Sequence, residues 1–163
     1  MEQKLSLYKI DPAYLKYMHG IDNRVSVKYN NRPFVGIITM LNGIPYVLPL
    51  TSQTTQERQK SGKGKRAAIV TTFVKNGAGE EIANILHNNM LPVKEGCYFP
   101  LEIDASKDTY ESNEIRYIRK NAEKIIRKAE RVYYYRTVKP NPFLMKFCCD
   151  FKKLEENYSN FDV

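Results

Sequence analysis

FVGIITMLNGIPYVLPLTS, residues 34–52, decides how the rest of the chain is read. Two apolar runs flank Asn42-Gly43. Both turn residues tolerate the positive φ of a type I′ turn, so the stretch reads as a β-hairpin. Gly36 inside the first arm marks a bulge or a close backbone approach. Pro45 has no amide donor, which puts its strand at an edge or turns its nitrogen outward. Leu50 is the last core-type residue, and Thr51 and Ser52 follow as two hydroxyls at the rim of a sheet. Read locally, the pair simply begins a loop, as Ser and Thr often do. Beside the cationic segment that follows, it is also a candidate to grip a phosphate.

That segment, QTTQERQKSGKGKR at 53–66, carries a net charge of +4 and almost no apolar side chain. Gly62 and Gly64 loosen the backbone between Lys60, Lys63, Lys65 and Arg66, so it reads as a flexible cationic flap beside Ser52. It lacks the GxxxxGK[ST] spacing of a Walker loop. On the other side of the hairpin, residues 21–33 form a polar connection with Arg24, Lys28, Tyr29 and Arg32. A tyrosine three residues from an arginine offers a stacking face and a phosphate fork together.

Working outward, residues 5–10 alternate apolar and polar as a first strand. Asp11-Pro12 is a helix start, and Gly20 is a natural stop. Residues 67–74 are β-branched and read as a strand, 76–79 as a turn, 80–87 as strand or helix, and 97–103 as a further strand. From Asp108 the period changes. Asp108 and Glu111 have capping-box spacing. Ile115, Ile118, Ala122, Ile125, Ala129 and Val132 then recur at steps of 3 and 4, predicting one long amphipathic helix. Arg116, Arg119, Lys120, Lys124, Arg127, Lys128 and Arg131 cover its other faces. Phe143, Phe147, Phe151 and Leu154 are expected to dock a short terminal helix on the core. Strands followed by helices predict an α+β fold, a compact curved antiparallel sheet or partial barrel with helices to one side. No repeat or change of composition divides the chain, so residues 1–163 read as a single domain.

The 163 residues carry 26 Lys and Arg against 18 Asp and Glu, a net charge of +8. Segments 53–66 and 109–139 hold +4 and +5 of it. Localised positive charge favours a polyanion, nucleic acid first and an anionic membrane second. The membrane reading fits poorly, because the basic helix has no Trp and no bulky apolar face. No apolar run approaches the roughly 20 residues that cross a bilayer, and the first ten residues lack a signal core, so a cytoplasmic location is expected. Cys97, Cys148 and Cys149 make neither a disulfide framework nor a metal spacing and read as buried side chains. His19 and His87 stand apart with no metal motif. No metal or other cofactor is expected.

The PLTS-ending hairpin, NNMLPV at 88–93, the basic helix from 113 and the LEENYSNF ending, in that order, resemble the ToxN/AbiQ family of endoribonuclease toxins. The likeness runs from the SLYKID start to the tail. It implies a compact MazF/Kid-like core elaborated with helices. It implies cleavage of RNA without a metal, in abortive phage defence or locus maintenance. The partners it implies are cellular mRNA and a tandem-repeat, pseudoknotted RNA antitoxin, which the toxin trims from its precursor and which holds it inactive in a protein–RNA assembly. Carried over by position, the family's hydroxyl pair falls on Thr51 and Ser52, and its upstream tyrosine and basic residue on Tyr29 and Arg32. Relatives often place a lysine soon after the serine, as in PLTSPK, where this chain has Gln53-Thr54-Thr55. Arg58, Lys60 or Lys63 would then supply the cation, with Lys60 the candidate to protonate the leaving oxygen. Lys28, Lys65, Arg66, Arg116, Arg119 and Lys120 complete the candidate RNA contacts. A noncatalytic RNA-binding module would share the basic helix and the tyrosines but would need no hydroxyl pair.

Overall fold

The Asn42-Gly43 hairpin forms as its sequence dictates. In the computed structural model, which describes residues 5–27 and 34–162, β2 (Val35–Leu41) and β3 (Ile44–Thr51) pair antiparallel from Gly36↔Pro49 to Leu41↔Ile44. Asn42 and Gly43 take φ of 53° and 72°. Gly36 makes a close approach: a Cβ there would lie 2.5 Å from the Leu48 carbonyl oxygen and 2.6 Å from Val47 Cγ2.

β1 (Leu7–Ile10) lies beside β2, and β7 (Tyr98–Pro100) lies beside β1. On the other flank, β4 (Thr71–Lys75) and β5 (Glu81–Leu86) form a second hairpin that joins the end of β3. The short β6 (Leu91–Pro92) pairs with the start of β3. The order is β4-β5-β3-β2-β1-β7, every pairing is antiparallel, and the path is open. β3 is therefore central and not an edge strand. Pro45 is tolerated because Leu41↔Ile44 closes the turn as the hydrogen-bonded pair, aiming the Pro45 nitrogen away from β2. Its carbonyl accepts from Val93 N at 2.9 Å. The ambiguous 80–87 segment is strand. Two expected strands are shorter than their sequences suggest: 67–70 is a turn, and only Tyr98–Pro100 of 97–103 is strand.

Among the described residues there are six α-helices. α1 (Pro12–Ile21) starts as expected, with the Asp11 carboxylate accepting from Ala13 N. α2 (Thr55–Lys60) corrects the reading of 53–66 as a flexible flap. Thr54 Oγ1 accepts from Glu57 N, and the Glu57 carboxylate accepts from Thr54 N, a complete capping box. The long basic helix is two helices, α3 (Tyr110–Lys120) and α4 (Ala122–Thr137), interrupted at Asn121 with φ −111° and ψ 19°. The Asn121 side chain and amide both donate to the Tyr117 carbonyl, at 2.9 and 3.0 Å. Thr109, rather than Asp108, caps α3 by accepting from Ser112 N. The apolar stripe survives the break: Ile115, Ile118, Ile125, Ala129 and Val132 are all buried.

α5 (Pro142–Phe147) and α6 (Phe151–Asn157) complete the chain. Phe151 and Leu154 are fully buried, but Phe143 and Phe147 are 41% and 46% exposed, so half of the expected docking set points outward. Phe151 stacks on Tyr133 and meets Tyr46 edge-on. The Tyr46 and Tyr133 hydroxyls both donate to Glu155 Oε2, at 2.6 and 2.7 Å, which ties α6 to the sheet and to α4. All three cysteines are buried, and burial pushes the Cys148 thiol up to about 12. No described helix is long and apolar enough to cross a membrane.

His87 is fully buried, with Nε2 2.8 Å from Thr72 Oγ1 and Nδ1 without a partner. Burial, with a smaller push from the Lys128 charge, lowers its pKa from 6.5 to about 3. The unfolded chain thus takes up a proton below pH 6.5 that the folded protein refuses until about pH 3. Stability is fully present above 6.5 and falls as the pH drops through that window, by about 2–3 kcal/mol at pH 4.5. Urea midpoints measured from pH 7 to 4.5 should fall less steeply for His87→Gln than for the parent. Equal slopes would remove His87 from the acid response.

Candidate active-site groove

Register decides which side chains share a face of the sheet. Leu7 lies opposite Ile37, and Ile37 opposite Leu48; Lys9 lies opposite Val35. Leu50 and Ser52 continue the same alternation beyond Leu48. Leu7, Lys9, Val35, Leu50 and Ser52 accordingly line one groove of about 820 Å³, closed on its other side by residues 101–114. Ser52 is exposed at this groove, while Thr51, half-buried, is absent from its lining. Thr51 pairs with Asn84 of β5, and its Oγ1 accepts from Gln53 N at 3.2 Å. The two hydroxyls therefore have different settings, one at the groove and one bracing the turn that presents it.

The groove is not lined by cations alone. Lys9 and Lys107 face Glu102, Asp104, Glu111 and Glu114. Asp104, whose side chain accepts from the Ser106 hydroxyl and amide, is held below its ordinary range. Tyr110 donates to the Ile82 carbonyl at 2.7 Å, and burial with the nearby Glu114 carboxylate raises its phenol. Positive charge gathers at the residue after Ser52, Gln53. Gln53 is held by Asn84 Nδ2, which donates to its carbonyl at 2.8 Å. Its side-chain oxygen receives both Arg58 Nη1 at 3.4 Å and Arg66 Nη2 at 3.3 Å. Two guanidinium groups on one neutral oxygen repel each other; burial, with that repulsion, lowers the Arg66 pKa. Arg58 also donates to the carbonyls of Lys63 and Gly64, which folds 61–66 back over α2.

The remaining candidates are dispersed. Lys28, Tyr29 and Arg32 lie outside the described residues. Lys60 is exposed at the end of α2, and Lys63 and Lys65 are exposed beyond it. Arg116 and Lys120 border a separate groove of about 450 Å³ with Lys75. Arg116 is held by the Ala105 and Lys107 carbonyls at 2.6 and 2.8 Å, and Arg119 Nε donates to the Leu5 carbonyl at 2.9 Å. Sequence reasoning missed Lys9, Asn84 and Glu81. Lys9 was visible as the polar member of an alternating strand, but its neighbours come from register. Glu81 binds Thr55 N and Oγ1 and fixes α2 to β5. Among the described residues no cluster of three or more His, Cys, Asp or Glu side chains has the arrangement of metal ligands.

A family model described as toxin ToxN of the type III toxin–antitoxin system matches residues 6–159. Endoribonuclease AbiQ of Lactococcus lactis subsp. lactis is 30% identical over 162 residues, 95% of this chain and 88% of that protein. Endoribonuclease ToxN of Bacillus thuringiensis subsp. kurstaki is 29% identical over 171 residues, 94% of this chain and 82% of that one. The fold matches that of AbiQ, described as a lactococcal anti-phage endoribonuclease, with a TM-score of 0.81 at 24% identity over 97% and 98% of the two chains. A second solved structure, from work on selective toxin inhibition by a non-coding RNA pseudoknot, gives a TM-score of 0.78 at 26% identity over 97% and 98%.

Proposed function

Because the chain belongs to the ToxN family of type III toxin–antitoxin toxins, we propose that it is a metal-independent endoribonuclease that cuts single-stranded RNA, cellular mRNA included. The ribose 2′-oxygen attacks the adjacent phosphorus. A 2′-O–P bond forms and the P–O5′ bond breaks, leaving a 2′,3′-cyclic phosphate and a 5′-hydroxyl. One proton leaves the 2′-oxygen and another reaches O5′. The nucleophile travels with the substrate, so no metal-activated water is required. The protein has to align the attack and stabilise charge on the phosphoryl oxygens.

One observation carries this reading: Ser52 is exposed at a groove, and the next residue holds two guanidinium groups without a carboxylate between them. The Ser52 hydroxyl donates to a non-bridging oxygen, and Arg58 and Arg66 offset the charge. Thr51 holds the turn. Tyr29 and Arg32 are the candidates for base stacking and further charge, and Lys60 for protonating O5′. Lys28, Lys63, Lys65, Arg116, Arg119 and Lys120 are the outer RNA contacts.

The inhibitor is a repeated, pseudoknotted RNA antitoxin that the toxin trims from its precursor and binds in a protein–RNA assembly. The likeness to the 26%-identical toxin, whose structure concerns inhibition by an RNA pseudoknot, supports that class of partner. We also infer a cytoplasmic site of action, in phage defence or locus maintenance. The open antiparallel sheet carrying helices supports a MazF/Kid-type core. A single buried cluster running from Leu5 to Leu154 supports one domain over 1–163.

Incubation of the protein with a defined oligoribonucleotide in EDTA should yield cyclic-phosphate and 5′-hydroxyl ends. Salt-sensitive binding with no cleavage would make the protein a noncatalytic RNA-binding module instead.

A further inference from the structure

The aromatic pair on α5 and the two guanidiniums at Gln53 border the same small groove. Its volume is about 290 Å³, and Arg58, Lys65, Arg66, Phe143 and Phe147 are among its lining residues. The two rings lie 4.9 Å apart, inclined at 48°. Two adjacent exposed phenylalanines are an apolar face that a soluble surface does not need for folding. They are not on a loose element. Asn141 caps α5 by accepting from Phe143 N, and Asn88 Nδ2 donates to the Phe147 carbonyl.

The cations of this groove donate only to neutral oxygens, Arg58 to Gln53 and to the Lys63 and Gly64 carbonyls and Arg66 to Gln53. Among the described residues none of Arg58, Lys65 and Arg66 forms an ion pair, and Arg66 Nε is buried without any partner. An apolar ligand would leave three positive charges unanswered, and an acidic side chain would have no flat surface to set against the rings. A nucleotide has both parts, a π-face and a phosphate.

We propose that this groove holds one unpaired nucleotide of an RNA strand, its base against Phe143 and Phe147 and its phosphate on Arg58 and Arg66, beside the position cut at Ser52. The proposal rests on the endoribonuclease reading above. Gln53 links the two places, since it follows Ser52 directly and its side chain receives both guanidiniums. The same nucleotide chemistry has two sources, an unstructured substrate strand and an unpaired linker of the antitoxin RNA.

The test measures binding of two fluorescent RNAs, an unstructured oligoribonucleotide and a folded pseudoknotted RNA that carries an unpaired linker. The protein carries Ser52→Ala to suppress cleavage. Adding Phe143→Ala and Phe147→Ala should weaken binding of one or both RNAs about tenfold or more. Phe143→Leu with Phe147→Leu keeps apolar bulk and should lose nearly as much, with the thermal midpoint unchanged. Arg58→Gln with Arg66→Gln should flatten the dependence of log Kd on log salt by about 0.7 for each phosphate that is no longer neutralised. The RNA whose affinity falls identifies the source. Unchanged affinity for both RNAs overturns the proposal, as does a variant that alters only self-association in sedimentation. Cleavage by the Ser52 protein in EDTA is followed in parallel. If it cleaves while the phenylalanine variants bind normally, only the nucleotide site falls. If it does not cleave but stacking is abolished, the enzymatic reading falls and the site stands.

Discussion

Ser52→Ala is expected to slow RNA cleavage about a hundredfold or more, a loss of roughly 2.7–4 kcal/mol of transition-state stabilisation if the hydroxyl acts as one oxyanion donor. Ser52 is exposed at the groove rather than packed in the core, so the variant should unfold at the parent's urea concentration. That separates a chemical loss from a folding one. The rate to follow is single-turnover cleavage of a defined oligoribonucleotide in chelator, with RNA affinity measured alongside. A fall in rate with little change in affinity is the signature of an interaction made mainly in the transition state. Cleavage at the parental rate would take Ser52 out of the mechanism.

Phe151→Ala should cost about 3–5 kcal/mol of stability, the range for emptying a buried aromatic site. The ring is fully buried, 5.7 Å from Tyr133 and 5.9 Å from Tyr46 between centroids. Both tyrosines direct their hydroxyls at Glu155 of the same helix. Removing the ring therefore loosens the two donors that hold the carboxylate. Phe147→Ala, on an exposed ring, should shift stability by about 0.5 kcal/mol or less. Urea unfolding of both variants decides the point. Equal losses would mean that Phe147 is covered in solution by something other than RNA.

These two phenylalanines are alike in sequence, four residues apart in an aromatic tail, and the tail alone offered no way to divide them. Short-range chemistry was legible. Asn42-Gly43 specified its turn because few other residues accept positive φ. Asp11-Pro12 specified a helix start because the carboxylate satisfies an orphan amide. The spacing of Ile115, Ile118, Ala122, Ile125, Ala129 and Val132 marked one continuous apolar stripe, and the PLTS, NNMLPV and tail segments pointed to the ToxN/AbiQ family. The capping box at Thr54 and Glu57 was equally present in the letters, and the density of charge and glycine around it concealed it. The break at Asn121 is a change in one residue's backbone angles, which leaves the apolar period intact and so left no mark in the pattern.

By itself, then, the sequence determined the hairpin, the strands-then-helices class, the buried cysteines and the basic, polyanion-directed character of the chain. All of these follow from periodicity, turn chemistry and charge within a few residues. Only the tertiary structure decided that β3 is central, that Ser52 rather than Thr51 meets the groove, that carboxylates from 102–114 line it, and that Arg58 and Arg66 converge on Gln53 while Arg116 and Arg119 bind distant carbonyls. A cation or a ring carries no record of its partner. What lies opposite is set by strand register and by which segment packs across, and those are properties of residues far apart in the chain.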